Sequence, residues 1–378
     1  MTRIWPSADG DRWRKGRVTV HPMTTTPVEY PLPRGRGRAL FGAIGYALRA
    51  IKALPAPLRE RALDALSSGV SANLPPFADI LRLVETARGA PDGKRWQARL
   101  LTDRPDLRAV RIRDVSDDGD GRVRARLYLP PEGAHPPPAA LVWVHGGAFI
   151  IGSLDAREAH WPAIELAASG IPVLSVDYRM CIDGQHYPVP QDDVLSAWRW
   201  AHGHASALGV GSSQLHLGGG SAVGCIVAGA ALRLRDAGQP MPASLYLAYP
   251  VLEGVLPSPS ADMVPELGVA RLPPDEWLAA MFATWAGSAR WDIPYVSPGL
   301  ADPSGLPPTY VLTCGRDALR RSSEPYVARM AEAGVSVWHD IFAASEHAPL
   351  DRPGTPDGEQ AIARLRTWLT TGITAMVQ

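Results

Sequence analysis

Three residue types able to carry acyl transfer stand in three separate segments of the 378-residue chain: Ser221 in LHLGGGSAVGC, Asp317 in VLTCGRDALR and His347 in IFAASEHAPL. A serine hydroxyl is too weak a nucleophile at neutral pH. It needs an imidazole to take its proton and a carboxylate to fix the imidazole tautomer and stabilise the imidazolium. Gly219-Gly220-Ser221-Ala222-Val223 has the glycine, serine and small residue of a G-x-S-x-G turn, with Val223 where the last glycine belongs. Upstream, His145-Gly146-Gly147 follows the apolar run LVWV. Backbone without side chains there lets Gly146 and Gly147 aim N–H groups at a developing oxyanion, with the Ala222 N–H as third donor. Losing one such donor costs about 3 to 4 kcal/mol of transition-state stabilisation. Ala148, Phe149 and Val223 adjoin these groups and are the expected substrate-binding residues.

Each residue also has a plainer reading. A serine among glycines is often only a turn residue, and Asp317 could be a helix N-cap before Ala318-Leu319. His339 is a rival base, but it falls inside the last expected strand, Val335 to Ile341, whereas His347 lies in the turn after it. His145 reads as a structural group holding its loop. His186, His202 and His204 read as solvated surface and not as metal ligands, Asp192-Asp193 as helix N-terminal charge, and Trp198 and Trp200 as packing.

The elements that must position these groups follow from hydrophobic period. Val110 to Arg113 and Val123 to Leu129 alternate, as an antiparallel edge pair does. Ala139 to Val144, Val173 to Val176, Leu215 to Leu217, Leu245 to Ala248 and Tyr310 to Leu312 are continuous apolar runs, each followed by a turn and a helical stretch. Those stretches include Val194 to His202, Ala222 to Arg235, Ser322 to Ala333 and Glu359 to Leu369. The pattern predicts an α/β fold with a mostly parallel sheet covered by helices on both faces, in which sites form at the carboxyl ends of strands. Ahead of it, helical periodicity over Gly37 to Ser68 and Phe77 to Arg88 predicts a helical cap segment at 36–105, preceded by a flexible stretch at 1–35 in which Met23 is a second candidate start. The catalytic domain is expected at 106–378, with a Pro-punctuated cap insertion at about 262–287.

Lys+Arg and Asp+Glu are equal at 38 each, which disfavours nucleic acid and anionic surfaces as partners. No apolar run reaches the roughly 18 residues of a membrane span, and no signal-peptide core opens the chain. Arg49 and Lys52 read as the solvated face of an amphipathic helix. The three cysteines, Cys181, Cys225 and Cys314, are widely spaced in apolar segments, which predicts buried reduced thiols and a cytoplasmic location. A homodimer is one oligomeric state the chain allows.

From about Val110 to the C-terminus the sequence resembles the hormone-sensitive-lipase family of α/β-hydrolases. HGGAFIIGS stands for its HGGG motif, VDYR at Val176 to Arg179 is kept, GGSAVG stands for GDSAGG, and SEHAPL surrounds the base. The order Ser, Asp, His is that of the same fold. The resemblance implies an α/β-hydrolase fold with a helical N-terminal cap, and a cofactor-free serine esterase in which Ser221, Asp317 and His347 act on a small ester. The departures are Ala148 for the third glycine, Gly220 for the aspartate, Val223 for a glycine, Pro349 after the base, and a longer MCIDGQHYP loop. A β-branched Val223 demands room in a tight turn, which Gly219 is expected to provide. These changes leave two rivals: a tailoring enzyme that removes an acyl group by hydrolysis or elimination, and a non-catalytic small-molecule receptor.

Overall fold

The computed structural model describes residues 75–87, 93–119, 121–267 and 275–375. The stretch at 1–35, the choice between Met1 and Met23, and the two helices expected between Gly37 and Ser68 lie outside the described residues. Strands β1 (Arg111–Asp117), β2 (Val123–Leu129), β3 (Ala140–Val144), β4 (Val173–Val176), β5 (Leu215–Gly220), β6 (Leu245–Ala248), β7 (Thr309–Cys314) and β8 (Val337–Phe342) form one sheet. Their order is β1-β2-β4-β3-β5-β6-β7-β8. Strand β2 pairs antiparallel with β1 and β4, and every pair from β4 through β8 is parallel.

Side-chain alternation explains both kinds of strand pattern. In β2 burial alternates from Val123 to Leu127, whereas every residue of β3, β4, β6 and β7 is buried. Along β3, Ala140, Val142 and Val144 enter one core while Leu141 and Trp143 enter a second one across the sheet. The first core is completed by α4 (Val189–Gly203), α5 (Val223–Asp236) and α8 (Arg320–Glu332). The second is completed by α3 (Arg157–Ala168) and α9 (Pro356–Ala375). A sheet covered on both faces has no solvated side, so its strands read as unbroken apolar runs.

Two differences from the expected elements bear on the site. Strand β5 runs through all three glycines to Gly220, so the turn begins only at Ser221. Helix α3 is the helical stretch expected after β3, but its bounds were not legible. It carries Pro162 and is buried at ten of its twelve positions, so it lacks the polar face that makes a helix visible by period.

The described part of the N-terminal segment contains α1 (Phe77–Ala87) and α2 (Lys94–Asp103), and the insertion contains α6 (Met263–Leu267) and α7 (Asp275–Ala286). Helix α1 meets α7 through Phe77 and Trp277, edge to face at 4.9 Å. It is tied to the MCIDGQHYP loop by the Asp183 N–H donating to Glu85 Oε1 at 3.2 Å. Among the described residues no helix is long and apolar enough to cross a membrane.

Candidate active site

Ser221 sits at the step from β5 to α5 with φ of +59°, a left-handed conformation that a serine rarely adopts. Three backbone bonds hold it there. Its N–H donates to Ala248 O at 2.9 Å, and its carbonyl accepts the Gly224 N–H at 2.9 Å and the Val251 N–H at 3.0 Å. Strain of this kind persists only where the surroundings over-determine it. Crowding is relieved by the bare glycines before it: a Cβ on Gly219 would lie 2.9 Å from Val223 Cγ2 and 3.0 Å from Val227 Cγ2. Gly219 thus provides the room that Val223 requires.

The Ser221 Oγ–H donates to His347 Nε2 at 2.8 Å, and the His347 Nδ1–H donates to Asp317 Oδ2 at 2.6 Å. Asp317 also fulfils its plainer reading in part, because Oδ1 accepts the Leu319 N–H at 3.1 Å and turns the chain into α8. One carboxylate oxygen shapes the loop while the other orients the ring. Burial acts to lower the His347 pKa, but the charge and hydrogen bond of Asp317, with a further contribution from Glu158, outweigh it and leave the ring more basic than a free imidazole. The rival His339 lies within β8. Its Nε2 is bonded to Thr313 Oγ1 at 2.9 Å, and burial lowers its pKa to about 4.

The loop after β3 departs from expectation. The Gly146 N–H does not face an open site: it donates to Glu158 Oε2 at 2.5 Å. That bond removes Gly146 from the expected oxyanion donors. Of the amides nearby, those of Gly147, Ala148 and Ala222 have no acceptor among the described residues. The loop lies against the serine, since a Cβ on Gly146 would be 2.9 Å from Ser221 Cβ. Gly147 must be glycine, because any side chain there would collide with the Ile151 carbonyl. Its own carbonyl accepts the Ile150 and Ile151 N–H groups at 3.0 and 2.8 Å, closing the loop. The His145 ring bonds the Gly146 carbonyl through Nδ1 at 2.8 Å, and burial lowers its pKa to about 4.

Two of the three expected substrate-binding residues also need correction. Phe149 is fully buried and stacks on Trp285 of α7 at 5.3 Å and 9°. Val223 is fully buried in the core beneath the turn. Neither meets open space, so both support the site from behind. Ala148 remains partly exposed.

Glu158 and Tyr249 were not singled out by the sequence. Glu158, from α3, also accepts the Tyr249 O–H on Oε1 at 2.5 Å, and the Tyr249 ring meets the His347 ring edge-on at 5.1 Å. The one available signal was a pair of carboxylates, Glu158 and Glu165, in the largely apolar EAHWPAIE stretch. Asp193, read as helix charge, is in fact buried. It receives the Arg179 guanidinium at 2.7 and 2.9 Å and the Arg179 N–H at 2.8 Å, which anchors VDYR.

Comparison with known proteins identifies the family. A family model described as alpha/beta hydrolase fold matches residues 141–350. The chain is 34% identical over 235 residues to carboxylesterase NlhH of Mycobacterium tuberculosis, covering 62% of this chain and 72% of that protein. It is 31% identical over 228 residues to the ethyl acetate hydrolase of Pseudomonas putida, covering 59% and 70% respectively. Among solved structures it superposes on a bacterial heroin esterase with a TM-score of 0.63 at 29% identity, covering 83% of this chain and 97% of that one.

Proposed function

The chain belongs to the alpha/beta hydrolase fold family, in its hormone-sensitive-lipase-like branch, and is a carboxylic ester hydrolase; we propose that Ser221, His347 and Asp317 carry its reaction. The observation that carries the proposal is the unbroken hydrogen-bonded chain of 2.8 and 2.6 Å from serine to imidazole to carboxylate. His347 takes the Ser221 proton as Oγ attacks the ester carbonyl, and Asp317 stabilises the imidazolium so formed. The amides of Gly147, Ala148 and Ala222 receive the oxyanion. His347 then gives its proton to the leaving alcohol, and water, activated by the same ring, releases the acid from the acyl-enzyme.

Helices α1 and α7, joined through Phe77 and Trp277, form part of the cover over the substrate. The substrate is a small ester, as the named activity of the Pseudomonas relative suggests. Three buried free thiols support a reducing compartment, which we take to be the cytoplasm. A receptor on this scaffold has no need of a strained serine bonded to a basic imidazole.

The test is hydrolysis of p-nitrophenyl acetate with and without Ser221→Ala. We expect a fast first release of p-nitrophenol in the unaltered enzyme, and a loss of at least ~10³-fold in kcat in the variant. Undiminished turnover in Ser221→Ala would remove Ser221 from the mechanism.

A further inference from the structure

Glu158 is a buried carboxylate that the reaction scheme leaves without a task. It lies in the first turn of α3 at 7% exposure. All its polar groups are engaged: Oε2 by the Gly146 N–H, Oε1 by the Tyr249 O–H, its N–H by Asp351 Oδ1 at 3.2 Å, and its carbonyl by the Trp143 indole at 2.7 Å. Two glycines make way for it. A Cβ on Gly146 would stand 2.6 Å from Oε2, and one on Gly220 would run into Oε1. The same carboxylate therefore wedges between the loop after β3 and the strand end that presents Ser221. Through Tyr249, held at φ of +40°, it reaches the ring of His347.

We propose that Glu158 is a positioning residue for the ester hydrolysis. By taking the Gly146 hydrogen it turns the next two amides toward the serine, and by holding the Tyr249 hydroxyl it fixes the aromatic edge on which His347 rests. The proposal rests on the reading of Ser221 and His347 as nucleophile and base. Charge adds to the geometry. His347 is faced by Asp317 and Glu158, which favour the imidazolium, by Arg352, which opposes it, and by the edge of Tyr249. A negative group at this place stabilises the cation that forms only as the serine attacks, which is where binding energy lowers the barrier. A carboxylate kept for packing alone is poorly explained, because burial disfavours its charge and a neutral side chain of the same shape would avoid that cost.

The test compares the unaltered enzyme with Glu158→Gln, Tyr249→Phe, Glu158→Ala and the pair Glu158→Ala with Gly220→Asp. Active sites are counted by organophosphate labelling. Gln keeps the shape but turns an NH₂ toward one of two donors, so kcat per labelled site should fall about tenfold or more while KM stays within about twofold. The acid midpoint of kcat/KM should move to lower pH, because the imidazolium loses a favourable charge. Tyr249→Phe should lower kcat with the midpoint held, since it removes the support and leaves the charge. A Cβ added to Gly220 would point at Oε1, so an aspartate there should restore part of the kcat lost in Glu158→Ala. The proposal is overturned if Glu158→Gln keeps kcat per labelled site within about twofold and its acid midpoint in place, or if activity falls only in proportion to labelled sites, the mark of a folding defect. Should Glu158→Ala fail to fold, Glu158→Gln and Tyr249→Phe carry the test alone. If the unaltered enzyme does not hydrolyse esters, the functional reading fails first. NMR titration of His347 in the unaltered protein and in Glu158→Gln then still decides the inference, an unchanged midpoint contradicting it.

Discussion

At the scale of single residues, the account depends on where protons and methyl groups sit. His347 must be neutral to accept the serine proton. Because its pKa is raised in the folded enzyme, kcat/KM should fall as pH drops through a midpoint above the 6.5 of a free imidazole. A pH–rate profile measures this directly, and an acid midpoint below 6.5 would contradict the assignment. Gly219→Ala places a methyl against Val223, Val227 and the Val144 carbonyl at 2.9 to 3.0 Å, so it should lower stability by about 1–3 kcal/mol in denaturant melts. Ser221, Asp317 and His347, the members of the hydrogen-bonded chain, were legible in the sequence because each follows a strand, in an order that one fold uses. Which amides of the loop after β3 lack an acceptor among the described residues was not legible. That depends on backbone angles, +129° at Gly147 and +52° at Ala148, and on a carboxylate arriving from another helix.

At the scale of elements, the loop after β3 is held from below by α3 and from the side by α7. Phe149, buried and stacked on Trp285, is the joint between that loop and the insertion. Phe149→Ala should therefore cost about 3–5 kcal/mol of stability. A residue that supports the loop should show that cost as a lowered Tm. A change confined to KM, with stability intact, would restore Phe149 to the substrate pocket. The parallel strands were readable because a sheet buried on both faces leaves unbroken apolar runs. The bounds of helix α3 were not, for the matching reason that a helix buried on nearly every side has no amphipathic period. The element that brings Glu158 to the site is thus the one that sequence pattern hides best.

At the scale of the whole molecule, the site lies along the carboxyl ends of β3, β5, β7 and β8, and its electrostatics feed back on stability. Burial, with the nearby Glu158 charge, raises the Asp351 pKa to about 7. The folded protein therefore binds more protons at this group than the unfolded chain does between about 4 and 7, and its contribution to stability falls as pH rises through that window. Asp351→Asn keeps an oxygen for the Glu158 N–H and removes the charge. Tm should rise by about 3 °C or more at pH 8, with a smaller gain at pH 5. Equal effects at both pH values would show that Asp351 is already charged throughout.

The most direct measurement of the central claim is covalent: react the full chain with a small organophosphate and map the adduct by mass spectrometry. The account predicts one adduct, on Ser221, which forms in step with the loss of ester hydrolysis and is absent from Ser221→Ala and His347→Ala. An adduct on another residue, or complete inactivation with Ser221 unmodified, would contradict it.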